Sequence, residues 1–118
     1  LPQEEKSNKV LKSLEKCHIT LLGVGEDGHI CGLFPKHYER DKLTDSLTVV
    51  TTDSPKPPPH RISVSYSFLK KSDENFFLVF GSQKRHLYDH ENLLNEYPFS
   101  FLNKSSKGTI FTDQGILF

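Results

Sequence analysis

His18-Ile19-Thr20-Leu21-Leu22-Gly23-Val24-Gly25-Glu26-Asp27-Gly28-His29 is the stretch on which the reading of this chain turns. Its first half, residues 18–23, is a continuous apolar run closed by glycine. A strand buried on both faces shows no polar alternation, so the run predicts a buried parallel strand. Its second half is a glycine loop. Glycines at the carboxyl end of a parallel strand let a ligand approach the backbone, because no Cβ stands in the way.

The flanking segments support the same architecture. Upstream, residues 3–16 predict a helix, with Val10, Leu11 and Leu14 on one face and lysines and glutamates on the other. After the glycine loop, a short turn of helix is expected, stopped by Pro35. Residues 47–52 are rich in β-branched side chains and predict a strand. The block Asp53-Ser54-Pro55-Lys56-Pro57-Pro58-Pro59 forbids helix and central strand and reads as a stiff extended loop inside one domain. Strand-like alternation resumes over residues 61–66. Phe76 to Phe80 predicts a further strand ending at Gly81, and Ser82 an N-cap for a helix running to about Leu94. Residues 99–102 and 109–112 predict short strands. Helices alternating with apolar strands indicate an α/β fold with a mostly parallel sheet flanked by helices.

Composition narrows the function. The chain has 118 residues, enough for one core, and its fifteen basic and fifteen acidic side chains cancel. That balance argues against a nucleic-acid partner bound through phosphate neutralisation, while leaving room for a local site for one small anion. No apolar run approaches the roughly 20 residues of a membrane span, so no membrane partner is expected. Cys17 and Cys31 lack metal-type spacing, which favours free thiols in a reducing, cytoplasmic setting.

Gly23, Gly25 and Gly28 satisfy the G-x-G-x-x-G spacing of dinucleotide sites. Glu26 and Asp27 oppose that reading, because they put two negative charges where a pyrophosphate would lie. Pro35 opposes it too, leaving no room for a crossover helix. No cofactor is therefore expected. Asp27, two residues before His29, is placed to orient the imidazole, fix its tautomer and stabilise the imidazolium, as a general base requires. From the residues alone two readings stay open: a catalytic His29, or a loop histidine that caps a turn.

Four blocks then carry a resemblance over nearly the whole chain. GVGEDGHICGLFP (23–35) resembles the 6-phosphogluconolactonase signature GxGxDGHxASLFP. TDSPKPPPHRISVS (52–65) resembles the family's TxSPKPPxxRITxT. FLVFGSQK (77–84) is similar to its strand–Gly–x–x–Lys segment, and GTIFTD (108–113) to its closing strand. The chain departs from the pattern at Ile30 and at Cys31-Gly32, where the family usually has Ala-Ser. The sister glucosamine-6-phosphate deaminases share Asp-Gly-His but carry a glutamate five residues after the histidine. Here that position is Phe34, which cannot move protons, so the lactonase reading is favoured over the deaminase.

The resemblance implies a Rossmann-like sugar-phosphate isomerase/lactonase fold and hydrolysis of 6-phosphogluconolactone in the oxidative pentose phosphate pathway, without metal. It implies His29 and Asp27 as the catalytic pair and Gly25, Gly28, Arg61 and Lys84 as substrate-binding residues. Lys84 would hold the phosphate, aided by the N-terminus of its helix. Arg61, on the stiff proline loop, would offer a guanidinium to an anion or pair with a neighbouring loop. Backbone amides around Gly25 to Gly28 would face the oxyanion. The family's domain is about twice this length, so residues 1–118 are expected to be its C-terminal half. In some protist members the lactonase is fused to glucose-6-phosphate dehydrogenase, which is therefore an expected fused or bound partner. A non-catalytic sugar-phosphate-binding module is the alternative of another class, suggested by Gly32.

Other candidates are set aside. His86 and His90 would share a helix face like two metal ligands, but no third ligand has suitable spacing. His18 and His37 have no evident partner, and His60 stands beside Arg61 without an assigned role. Cys31 and His29, two residues apart, would point to different sides of a helical turn.

Overall fold

The computed structural model describes residues 2–88 and 97–115. Helix α1 spans Pro2–Leu14 and leads into strand β1, Ile19–Gly23. Strand β4, Glu74–Val79, pairs in parallel with β1 on one side and with β5, Gly108–Thr112, on the other. The three-stranded sheet has the order β1-β4-β5. Between β1 and β4 the chain forms α2 (Tyr38–Asp41), an antiparallel pair β2 (Thr48–Thr51) and β3 (Arg61–Val64), and α3 (Tyr66–Leu69). Helix α4, Pro98–Ser105, precedes β5.

The parallel α/β expectation is met by the main sheet, while β2 and β3 form a separate antiparallel ribbon. Asn75 fixes the central strand. It is fully buried, and its amide donates to Leu69 O (3.2 Å) and Ser106 Oγ (3.0 Å) while its carbonyl accepts from Thr20. One satisfied polar side chain thus ties β4 to β1, α3 and the end of α4, where an unsatisfied amide would cost about 1–3 kcal/mol. The apolar core runs from Leu22 and Val24 through Ile30, Leu33, Tyr66, Phe77 and Val79 to Phe99 and Leu102.

Four local expectations are corrected. Residues 99–102 lie in α4 rather than a strand. Pro98 starts that helix, and the Tyr97 amide donates to Ser100 Oγ (2.8 Å), a start signal that a short apolar run conceals. Pro35 begins a 3-10 helix, Pro35–His37, instead of ending one, because proline's fixed φ suits a first helical position. Gly81, not Ser82, caps the segment after β4, which is a 3-10 helix over Ser82–Leu87. The remainder of the helix expected to Leu94, with His90, lies outside the described residues. Finally, β1 is parallel but only partly buried. Ile19 and Leu21 are exposed and Leu22 is buried, since among the described residues β1 stands at the sheet edge.

The proline block is held at its start. Asp53 receives Lys36 Nζ at 2.9 Å and lies 2.9 Å from Nε2 of the buried His37, an approach that lacks hydrogen-bond geometry. Hydrogen bonding from Lys36, with the neighbouring charges of Lys36 and His37, keeps the Asp53 carboxyl below its ordinary range. His18 finds Asp73, at 3.1 Å.

Candidate functional site

Parallel strands end on one edge of a sheet, so the loops after β1, β4 and β5 emerge together. The contacts between them are direct. Gly81 N donates to Asp113 Oδ1 (2.9 Å), and His86 Nε2 lies 3.0 Å from Glu26 O. The glycine loop and the segment carrying Lys84 are therefore neighbours.

Within the glycine loop, Asp27 Oδ1 accepts twice from His29. The backbone amide donates at 3.1 Å, and the ring Nδ1 lies at 2.5 Å. Burial acts to raise the Asp27 pKa, but the side-chain and backbone hydrogen bonds from His29, its charge and that of Lys56 outweigh it and hold the carboxyl low. An ionised carboxylate only accepts, so the proton of the pair belongs on Nδ1. The neutral imidazole then presents Nε2 as a bare acceptor. Among the described residues, Nε2 has no hydrogen-bond partner.

The two glycines shape this pair. A Cβ on Gly25 would stand 2.2 Å from His29 Cε1 and Nδ1, so the ring occupies the space a side chain would take. Gly28 has φ +83, and a Cβ there would meet Tyr97 at 2.6 Å. Their amides are spent inside the loop: Gly25 N donates to His29 O (3.0 Å) and Gly28 N to Gly25 O (2.9 Å). Of the amides expected to face an oxyanion, those of Gly25 and Gly28 are thus already engaged. The loop's own turn consumes them, and the visible role of both glycines is steric.

Arg61 was expected to offer its guanidinium to an anion or to pair with a neighbouring loop, and its described hydrogen bonds run to its own loop. Its Nε donates to Pro58 O (3.1 Å), and its Nη2 to Lys56 O (3.1 Å) and Pro57 O (2.9 Å). Instead of being presented by a stiff loop, it clamps that loop. Its Cζ lies 5.5 Å from the centre of the Phe34 ring, and Phe34 lies 5.0 Å from the His29 ring. Lys84 is half-buried in the first turn of its 3-10 helix. Six residues of 3-10 helix carry little macrodipole, so any anion attraction there comes from the ammonium rather than from the helix.

The departure at Gly32 has a local explanation. Its amide donates to Ser63 Oγ (2.9 Å), and a Cβ at Gly32 would stand 2.8 Å from Ser63 Cβ. Ser63 fills the space that a serine at position 32 would need. Cys31 is exposed as a residue, but desolvation around its thiol raises the pKa to about 11, the opposite of an activated nucleophile. Among the described residues no cluster of His, Cys, Asp and Glu could hold a metal, and no helix is long and apolar enough to cross a membrane.

Sequence reasoning missed two contributors. Lys56 had no assigned role, yet its charge acts on Asp27. Phe34 was read as a match to the signature's Leu-Phe-Pro and as the absence of a glutamate, with no role of its own, yet it touches both His29 and Arg61. The lysine inside the proline block was a signal for the first. For the second, the signature marks the position of Phe34 but not what its ring packs against.

The family described as glucosamine-6-phosphate isomerases/6-phosphogluconolactonase matches residues 3–111. The chain belongs to this family. Among curated relatives, it is 32% identical to a probable 6-phosphogluconolactonase of Drosophila melanogaster over 111 residues, covering 91% of this chain and 45% of that protein. It is 38% identical to a putative 6-phosphogluconolactonase of Caenorhabditis elegans, covering 88% and 40%. The 6-phosphogluconolactonase structure from Thermotoga maritima superposes with a TM-score of 0.75 at 22% identity, over 92% of this chain and 50% of that one. It shares the fold. This family member thus spans about half the length of the relatives it matches.

Proposed function

We propose that the complete protein hydrolyses 6-phospho-D-glucono-1,5-lactone to 6-phosphogluconate, the ester-hydrolysis step of the oxidative pentose phosphate pathway. The observation that carries this reading is the Asp27–His29 pair with Nε2 left open. His29 Nε2 takes a proton from water as the water oxygen attacks the lactone carbonyl carbon. When the tetrahedral intermediate collapses, the bond to the ring oxygen breaks and the imidazolium returns its proton there. Asp27, ionised throughout, balances the charge on the ring. Lys84, on the neighbouring loop, binds the substrate phosphate. Arg61 contributes through the proline loop it clamps and, with any donor left over, to an anion. The 6-phosphogluconolactonase names of the matched relatives support this chemistry.

Residues 1–118 are then the C-terminal half of one lactonase-like domain. The reaction is placed in the cytoplasm, with glucose-6-phosphate dehydrogenase, which makes the lactone, as a fused or bound partner. A deaminase reading is not favoured, because apolar Phe34 packs on His29 where that chemistry requires a carboxylate.

The test is acid release from freshly made lactone, corrected for spontaneous opening, by the complete protein and its His29→Ala variant. Loss of a general base predicts a fall of about 10²–10⁴ in kcat. Equal rates would reject the catalytic assignment in favour of a non-catalytic sugar-phosphate-binding module. Ammonia release from glucosamine 6-phosphate would reject the lactonase in favour of the deaminase.

A further inference from the structure

Phe34 is fully buried, yet it stands outside the main apolar cluster that holds its neighbour Leu33. Two of its contacts are with the site. The ring centre lies 5.0 Å from that of His29, with the planes tilted by 34°. Arg61 Cζ lies 5.5 Å from the same centre, within range of a cation on an aromatic face. Arg61 in turn holds the carbonyls of Lys56, Pro57 and Pro58. A single ring therefore touches both the imidazole and the clamp of the proline loop.

Asp27 alone leaves His29 under-determined. A carboxylate bonded to Nδ1 selects the tautomer, but Asp27 sits on the same loop and its side chain is itself about a third exposed. The imidazole and its carboxylate can swing together. A rigid, non-hydrogen-bonding surface against the ring removes that freedom, and a displacement of about 1 Å in a catalytic group costs on the order of 100-fold in rate.

We propose that Phe34 is a positioning residue for His29, coupling the imidazole to the proline loop that Arg61 clamps. Its kinetic consequence rests on the lactonase reading above; its geometric consequence does not. In the complete protein, Phe34→Leu is compared with Phe77→Leu, an equally buried ring in the central strand. Phe34→Leu is expected to lower kcat about ten- to a hundredfold with KM changed less than about twofold. It is also expected to broaden or abolish the downfield proton NMR signal of His29 Nδ1–H, identified by its loss in His29→Asn. Phe77→Leu should lower the melting temperature and leave both readouts unchanged. Phe34→Met replaces Phe34→Leu if the latter does not fold. Wild-type kcat with an intact Nδ1–H signal in the Phe34 variant would overturn the proposal. So would a Phe77 variant that reproduces both changes. If wild-type protein shows no lactonase activity, the lactonase reading fails, while the NMR comparison still decides the role of Phe34.

Discussion

Replacing Gly25 by alanine adds one methyl group where the structure leaves room for none. The new Cβ would lie 2.2 Å from two atoms of the His29 ring and 3.1 Å from Asp27 Oδ1. Unstrained carbon contacts sit at about 3.5 Å, so the ring must retreat by about 1 Å or more. That movement either breaks the 2.5 Å bond between Nδ1 and Asp27 or carries the pair out of place together. Gly25 has no left-handed φ, so alanine meets no backbone strain there. Stability changes little for a second reason: a hydrogen bond to a charged group contributes about 1.5–3 kcal/mol at most, and partial exposure of the pair discounts it. Catalysis should respond more strongly, with kcat falling about 100-fold. Gly23→Ala is the matched control, since a Cβ at Gly23 meets nothing within 4 Å. Both variants would be made in the complete protein, assayed on fresh lactone and followed by thermal unfolding. Gly25→Ala with wild-type kcat would refute the steric argument. So would a loss of activity that merely tracks a large fall in melting temperature, or an equal loss in Gly23→Ala.

Two further outcomes are expected. Lys84→Ala should raise KM for the lactone about 10- to 100-fold with kcat within a few-fold, from the loss of a charge-assisted bond of about 1.5–3 kcal/mol to phosphate; an unchanged KM would remove Lys84 from the site. Asp53 and Asp73 have depressed folded pKa values, owing first to hydrogen bonds from Lys36 and Lys16 respectively, so their stabilisation is present above the ordinary value of 3.8 and is lost as pH falls below it. The urea midpoint should therefore hold from pH 7 to about 5 and fall below about 4, with a shallower fall in Asp73→Asn; a midpoint that does not move between pH 6 and pH 3 would contradict this.

The elements legible in the sequence were those whose signal is local. The run 18–23 and the stretch 76–80 became β1 and β4, and residues 3–16 became α1. Pro35 and Pro98 show the limit of local reading. Pro35 was taken as a boundary, but whether it ends one element or starts the next depends on what packs around it; Pro98, which starts α4, carried no reading at all. The apolar stretch 99–102 is too short to reveal its period, and the helix start at Pro98 with the Tyr97–Ser100 cap, together with packing of Phe99 on Phe77 (ring centres 6.0 Å apart), makes it helix.

By itself, then, the sequence determined the parallel strands, the glycine loop between them and the pairing of Asp27 with His29, because a two-residue spacing within one tight loop leaves few geometries. The tertiary structure alone decided the rest of the site. It spent the Gly25 and Gly28 amides inside the loop, turned Arg61 inward to hold the carbonyls of its own loop, and brought Phe34 against both His29 and Arg61. These outcomes depend on where each donor finds its nearest acceptor in three dimensions. Arg61 is 32 positions from His29 along the chain but reaches it through one ring, and no residue pattern records that distance.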